Sequence, residues 1–307
     1  MSPAYVAAIS AFLAAAWAAS GLRSPGAPRP RVPASMRAVA VIATVIVGIV
    51  PGTVAASSSA SGQEVMTVDL GWAPSSNIPW NDLTQIDLFN LATEAGPNLD
   101  KSNISNIDVP AWVARAHSHG VKAKIQIGGE GNNNWGTACN DTNRAQFVQN
   151  LIGFATSNGF DGVDLDIEDG PWSAIGPPAP AMTTCIEAIS AAAHAKGLIL
   201  SEDVITNWQG PWYAPSQSYV DQYNLMTYGD NLATMQADVA DTIAQGLPAS
   251  KFVVGVDVDE HPQPPGGCAQ FSSYAAQAGL MGSFVWHAAA DYRSGNVCAD
   301  GLAAGTP

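Results

Sequence analysis

The chain has 307 residues, 47% of them hydrophobic and only 12% charged, with 26 acidic against 12 basic side chains and a formal net charge of −14. A chain this apolar offsets its ordering entropy by burial, which excludes a disordered protein. Its Lys and Arg residues are too few and too scattered to neutralise a row of phosphates, which excludes a nucleic-acid partner.

Residues 1–56 carry four arginines (Arg23, Arg29, Arg31, Arg37) and no acid, so the remainder holds eight basic and 26 acidic residues, a net charge of −18. Two apolar runs in this leader, 5–19 and 38–50, fall short of the ~20 residues of a membrane span. The second has the form of a secretory signal, with Met36-Arg37 as its charged start and Val54-Ala55-Ala56 as a small-residue cleavage site. Residues 1–35 are then explained by a true start at Met36; the rival is a two-helix membrane anchor. The expected organisation is a leader over 1–56 and a secreted, extracellular domain over 57–307, with no stable membrane association after cleavage.

From residue 57 onward no long Pro-Thr or Gly-Ser linker divides the chain, which reads as a single domain. Eight short apolar, β-branched runs are expected as strands: 66–71, 86–92, 121–128, 160–168, 198–204, 219–228, 252–258 and 283–286. Helical patterns fall between most of them, at 109–119, 141–158, 179–196, 232–245 and 270–278. In 141–158, Phe147, Leu151 and Phe154 share one face and Val148, Ile152 and Ala155 the next, and Gly159 closes the helix. Eight strands alternating with helices point to an α/β fold, a (β/α)8 TIM barrel, with a doubly wound open sheet as the alternative. His117, His119 and His194 fall near helix ends, where a positive charge suits the helix dipole.

Cys139, Cys185, Cys268 and Cys298 form no CxxC pair, and an even count in an exported chain reads as two disulfides rather than a zinc site. Three pairings are open; Cys139–Cys185 and Cys268–Cys298, which join neighbouring stretches, are expected. Trp72, Trp135, Trp172, Trp208, Trp212 and Trp286 fall at or just beyond strand ends, where a barrel opens its active site. They suggest a sugar-stacking cleft, with some of them serving as packing residues.

The most informative stretch is Asp161-Gly162-Val163-Asp164-Leu165-Asp166-Ile167-Glu168. Its strict alternation turns Val163, Leu165 and Ile167 toward the helices and Asp164, Asp166 and Glu168 into the barrel. Same-face neighbours lie ~6–7 Å apart, so repulsion and desolvation raise at least one pKa and leave a shared proton, which prepares a neutral acid. A hard-cation site is the rival, although no His or further clustered acid joins the three.

The segment matches the DGxDxDxE signature of glycoside hydrolase family 18, the chitinase and endo-β-N-acetylglucosaminidase family. Lys124-Ile125-Gln126-Ile127-Gly128-Gly129 resembles the family's third-strand SxGG motif, and Met226-Thr227-Tyr228 its sixth-strand MxY. Gly282-Ser283-Phe284-Val285-Trp286 resembles the eighth strand with its terminal Trp. The resemblance implies substrate-assisted, retaining hydrolysis of β-1,4 bonds in chitin or N-acetylglucosamine oligosaccharides. Glu168 is the implied general acid and base, Asp166 the group that orients the acetamido N–H, and Asp164 its support. Tyr228 is the implied hydroxyl on the acetamido oxygen and Trp286 the floor under the sugar. Further substrate contacts are expected at Trp72, Gln126, Gly129, Met226, Asn224 and Asp230. Gln126 stands where the family has Ser, and Gly229 followed by Asp230 where it commonly has Asp. Asn224 either lines the pocket or satisfies a buried backbone group. Glu202, Asp203, Asp257, Asp259 and Glu260 are candidate subsite acids or solvated strand-end charges.

No GxGxxG or P-loop signature has its required strand and helix, so no cofactor is implied. A monomer acting on chitin-type saccharides is expected. An endo-β-N-acetylglucosaminidase acting on N-glycans and a non-hydrolytic chitin-binding lectin on the same fold are the alternatives.

Overall fold

The computed structural model describes residues 62–305 apart from 133, 169–179, 207–208, 229–230 and 264–265. The leader, Trp172, Trp208, Gly229 and Asp230 therefore lie outside the described residues. Eight parallel strands follow one another around a closed barrel: β1 (Glu64–Leu70), β2 (Gln85–Thr93), β3 (Lys122–Gly128), β4 (Gly162–Asp166), β5 (Ile199–Val204), β6 (Gln222–Leu225), β7 (Phe252–Asp257) and β8 (Gly282–Trp286). Each pairs with the next, and β8 pairs back to β1, so no sheet edge is left open. The (β/α)8 expectation holds and the open sheet does not. A two-residue antiparallel bridge, Leu99–Asp100, extends the end of β2.

The helices are α1 (Val109–Ser118), α2 (Trp135–Ala138), α3 (Arg144–Asn158), α4 (Pro180–His194), α5 (Gly210–Tyr213), α6 (Leu232–Ala244), α7 (Ala269–Gln277), α8 (Ala288–Arg293) and α9 (Val297–Gly305). Local chemistry sets their ends. Asp108 accepts from Ala111 N to cap α1, Asn231 accepts from Thr234 N to cap α6, and Gly159 takes the left-handed conformation (φ 80°) that stops α3. Among the described residues no helix is long and apolar enough to cross a membrane.

Alternation places the core in two zones. Val163, Leu165 and Ile167 turn outward and pack with Phe147 and Leu151 of α3 and Ile186 and Ile189 of α4 in the shell between strands and helices. Inside the barrel the residues divide by side. Met66, Val253 and Phe284 fill the β7–β8–β1 side with hydrocarbon. The β2–β6 side is polar: Gln85 donates to Gln222 (3.1 Å), Gln222 to Asn224 (2.7 Å) and Asn224 to Asp164 (3.0 Å).

Two helix-end histidines gain specific partners. His117 Nε2 meets Asp161 Oδ2 at 2.8 Å and His194 Nε2 meets Asp221 Oδ2 at 2.8 Å. Each of these carboxylates also accepts a backbone N–H from the preceding strand, Ala123 N or Leu200 N. The same device thus clamps β3 to β4 and β5 to β6. His119 stacks on Trp80 instead.

Both expected disulfides form, Cys139–Cys185 and Cys268–Cys298. The second joins the start of α7 to α9, two helices that carry no strand between them and β8. By loop-closure entropy over its sequence separation of 30, the double substitution C268A/C298A is expected to lower the unfolding free energy by about 3–4 kcal/mol in urea. A change under about 1 kcal/mol would show that α7 and α9 hold the barrel end without it.

Candidate active site

The β4 strand ends at Asp166, and the chain carries Glu168 two residues beyond it, half-buried, at the C-terminal mouth of the barrel. Asp164 is fully buried below, and Asp166 sits between them at 3% exposure. The three signature acids therefore descend from the mouth toward the floor, as the alternation demands.

Each buried acid is held by particular donors. Asp164 Oδ1 accepts from Asn224 Nδ2 at 3.0 Å and from Ser201 Oγ, while its Oδ2 is buried without a partner. Lys124, wholly buried, donates to Ser201 Oγ at 2.7 Å and lies 3.2 Å from Asp87 and 3.9 Å from Asp164. A cation thus stands beneath the carboxylate array, bonded to the hydroxyl that holds Asp164. Asp166 Oδ2 accepts from Gln126 Nε2 at 3.1 Å, no N–H or hydroxyl among the described residues donates to its Oδ1, and its carboxyl also meets that of Glu168. Burial first, then the charges of Glu168 and Asp164, push Asp166 well above the ordinary carboxylate range, while the bond from Gln126 pulls the other way. The sequence expectation that crowding and burial raise at least one pKa in the array is met at this residue.

The β3 end is shaped for close approach. Gly128 (φ 120°) runs so near β4 that a Cβ there would lie 1.8 Å from the Asp166 carbonyl oxygen. Gly129 donates its N–H to that same carbonyl at 2.9 Å and packs under the Phe89 ring, where a Cβ would meet Cζ at 2.6 Å. The two glycines of the motif are therefore needed for strand-to-strand and ring contact.

The aromatic side of the site runs across β1, β2, β8 and β6. Trp72, 52% exposed, lies edge-on to Phe89 (centroids 5.4 Å), Phe89 edge-on to Trp286 (5.3 Å), and Trp286 beside Tyr228 (6.1 Å). Burial, then Asp203, Asp166 and Glu168, hold the Tyr228 hydroxyl well above its usual pKa, so it remains a donor. Met226 is half-buried, its N–H bonded to Val204 O.

Other sequence expectations divide. Trp135 is 2% exposed and packs edge-on to Phe147, and Trp212 is 9% exposed, so both belong to the packing rather than to a cleft. Asn224 neither lines an open pocket nor bonds the backbone; it supports Asp164. Asp203 points into the barrel and Glu202 outward into the shell, and both are buried, so neither is a rim acid. Burial, with Asp164 next, drives Glu202 well above its usual pKa. Lys124 escaped the sequence reading as a buried cation. The signal for it was its period-two relation to Gln126, which puts both on the inward face that Asp164 shares, Gln126 being in register with Asp164.

Among the described residues, Asp257, Glu260 and His261 are the ones that bring metal-type ligand atoms within 4.8 Å of one another. They lie at the end of β7 and just beyond it, and Asp257 Oδ1 already accepts from Asp259 N and Glu260 N. The β4 carboxylates do not form such a group.

Comparison with known proteins agrees with this fold. The profile for Glycosyl hydrolases family 18 matches residues 80–262, more than half of the chain. Among solved structures, a chitinase of Rhizomucor miehei is similar at 17% identity and TM-score 0.65, covering 79% of this chain and 100% of that one. A chitinase from Bacteroides thetaiotaomicron is similar at 16% identity and TM-score 0.69, over 79% and 96%. A chitinase-like agglutinin of Robinia pseudoacacia is similar at 16% and 0.65, over 80% and 99%. No curated protein matches the sequence. These structural neighbours establish a shared barrel, and the family match, with the signature acids set on β4 and its end, establishes that this chain belongs to family 18 of the glycosyl hydrolases.

Proposed function

We propose that the protein is a secreted retaining glycosidase that cleaves β-1,4 bonds of chitin or N-acetylglucosamine oligosaccharides by substrate-assisted catalysis. One observation carries the reading. Asp166 has one carboxyl oxygen fixed by Gln126, while among the described residues no N–H or hydroxyl donor reaches the other, which lies beneath the mouth where Glu168 stands. A buried acceptor without a donor costs free energy, and the N–H of a 2-acetamido group is a donor that fits the deficit.

In the proposed sequence Glu168 gives its proton to the glycosidic oxygen as the bond to the anomeric carbon breaks. The acetamido carbonyl oxygen attacks that carbon to form an oxazolinium ion. Asp166 holds the acetamido N–H and balances the positive charge, while Tyr228, kept protonated, donates to the acetamido oxygen. Glu168, now a carboxylate, takes a proton from water, which opens the ring on the face the leaving group left, giving retained configuration. Trp286 forms the floor, and exposed Trp72 extends the aromatic surface toward a neighbouring sugar. Asp230 is assigned a substrate contact from the sequence alone. Residues 1–56 are assigned to a leader removed on export, a reading supported by the two disulfides, which form in oxidising compartments.

The test is the anomeric composition of the first products from N-acetylglucosamine oligomers, followed by proton NMR before mutarotation. The β anomer is expected first. First appearance of the α anomer would remove the acetamido-assisted route, and binding without cleavage would favour a lectin, such as the agglutinin on the same fold. Cleavage confined to the glycan of a glycoprotein would move the substrate to N-glycans.

A further inference from the structure

Gln126 stands where the family resemblance expects a Ser, and its amide does what a hydroxyl at that place is too short to do. It reaches from β3 past β4 to β5. Its Nε2 donates to Asp166 Oδ2 at 3.1 Å and also to Asp203 Oδ2. All three side chains are buried, at 2%, 3% and 5% exposure. An amide nitrogen has two hydrogens, so the two carboxyl groups use both, while Gln126 Oε1 is left buried without a partner. Turning the amide over would satisfy neither carboxyl and would set an oxygen between two others.

We infer that Asp203 is a positioning residue for Asp166, acting through Gln126. With Asp203 as the second acceptor, the amide has one stable orientation, and that orientation pins Asp166 Oδ2 on the barrel wall and leaves Oδ1 for the substrate. Asp203 is also in register with Asn224, the residue that holds Asp164. One side chain on β5 thereby ties together the supports of both lower signature acids. Burial, followed by the charges of Asp164 and Asp166, raises Asp203 well above the ordinary carboxylate range, consistent with one crowded acidic array. The inference rests on the reading of Asp166 as the acetamido-orienting group, but its geometry is testable without substrate.

Four variants decide it: Asp203→Leu, which keeps volume and removes the acceptor; Asp203→Asn, whose carbonyl oxygen still accepts; Gln126→Ser; and Gln126→Ser combined with Asp203→Leu. D203L is expected to lower kcat by about 10–100-fold with KM within about threefold of the parent. D203N is expected to stay within about threefold of the parent in both. In the Gln126→Ser background D203L is expected to cause no further loss, because the connection it acts through is already gone. The substrate-free readout is a crystal structure of D203L, in which the Gln126 amide leaves Asp166 Oδ2. An amide still bonded to Asp166 in D203L, a parent-like kcat, or an equal loss in the Gln126→Ser background overturns the inference. Should D203L not fold, a kcat loss in D203N as large as that in Asp203→Ala overturns it equally. If the parent cleaves no N-acetylglucosamine oligomer and the amide nonetheless swings away in D203L, the chitinase reading falls and the positioning role stands.

Discussion

Glu168→Gln is expected to lower kcat on N-acetylglucosamine oligomers by about 10³-fold, within the 10²–10⁴ range typical of a lost general acid. Gln has nearly the shape of Glu but no acidic proton to give, and position 168 lies past the end of β4, where no ladder hydrogen bond depends on it. The aromatic row of Trp72, Phe89, Trp286 and Tyr228 and the Gln126 hold on Asp166 remain in place. Oligomer affinity, measured by titration calorimetry, is therefore expected to stay within a few-fold of the parent. The combination separates a lost chemical step from a lost site: a variant that hydrolyses at the parent rate removes Glu168 from the reaction, and one that loses affinity in proportion to rate makes it a binding residue.

Lys124→Met is expected to destabilise the fold by about 3–5 kcal/mol in urea at neutral pH, the usual cost of deleting one partner from a buried ion pair. The ammonium faces Asp87 at 3.2 Å and Asp164 at 3.9 Å, and all three side chains are inaccessible to water. Burial is the largest influence on Asp87 and raises its pKa to about 8, with Lys124 opposing and Asp164 reinforcing the rise. A carboxyl whose folded pKa is raised binds more protons folded than unfolded, so the stability it supports falls as pH climbs from its ordinary value of 3.8 toward about 8. Removing the opposing cation raises Asp87 further and carries that loss on to higher pH, so the Lys124→Met penalty is expected to be larger at pH 8 than at pH 5. Combining it with Asp87→Leu is expected to recover most of the loss, because an apolar pair replaces a buried carboxyl that has lost its ammonium partner. An equal loss in the single and double variants would show that Asp87 is not the source of the penalty and would leave Asp164 as the carboxylate the ammonium serves.

The barrel and its most acidic strand were legible in sequence because both depend on local rules. Strict alternation from Val163 to Glu168 assigns faces without knowledge of neighbours, and the stripe of α3 with Gly159 behind it is a self-contained signal. Strand ends were less legible. The sixth strand, expected over 219–228, pairs only from Gln222 to Leu225, since Tyr219 N turns back to Ser216 O and Thr227 N to Leu225 O. The terminal helices α8 and α9 were not anticipated. Their Ala- and Gly-rich sequence carries little apolar periodicity, and α9 begins where the Asp291 carboxylate accepts from Cys298 N and Ala299 N, a contact between segments. Roles inside the barrel were hidden for the same reason. Whether Asp203 is a rim charge or a core ligand, and whether Lys124 is a motif residue or a buried cation, depends on which strands stand two places away, and alternation alone does not say.

The bridge between Cys139 and Cys185 has a topological consequence for the signature strand. Its two ends are 46 residues apart in sequence, and every residue from α3 through Glu168 lies between them. The chain there is a covalent ring that includes one strand of the barrel wall. A protease that cuts once anywhere inside the ring produces two fragments that still migrate as one molecule until a reductant is added, and the carboxylates stay covalently joined to both fragments. The signature strand is thus anchored to the rest of the molecule twice, once by its peptide backbone and once by sulfur.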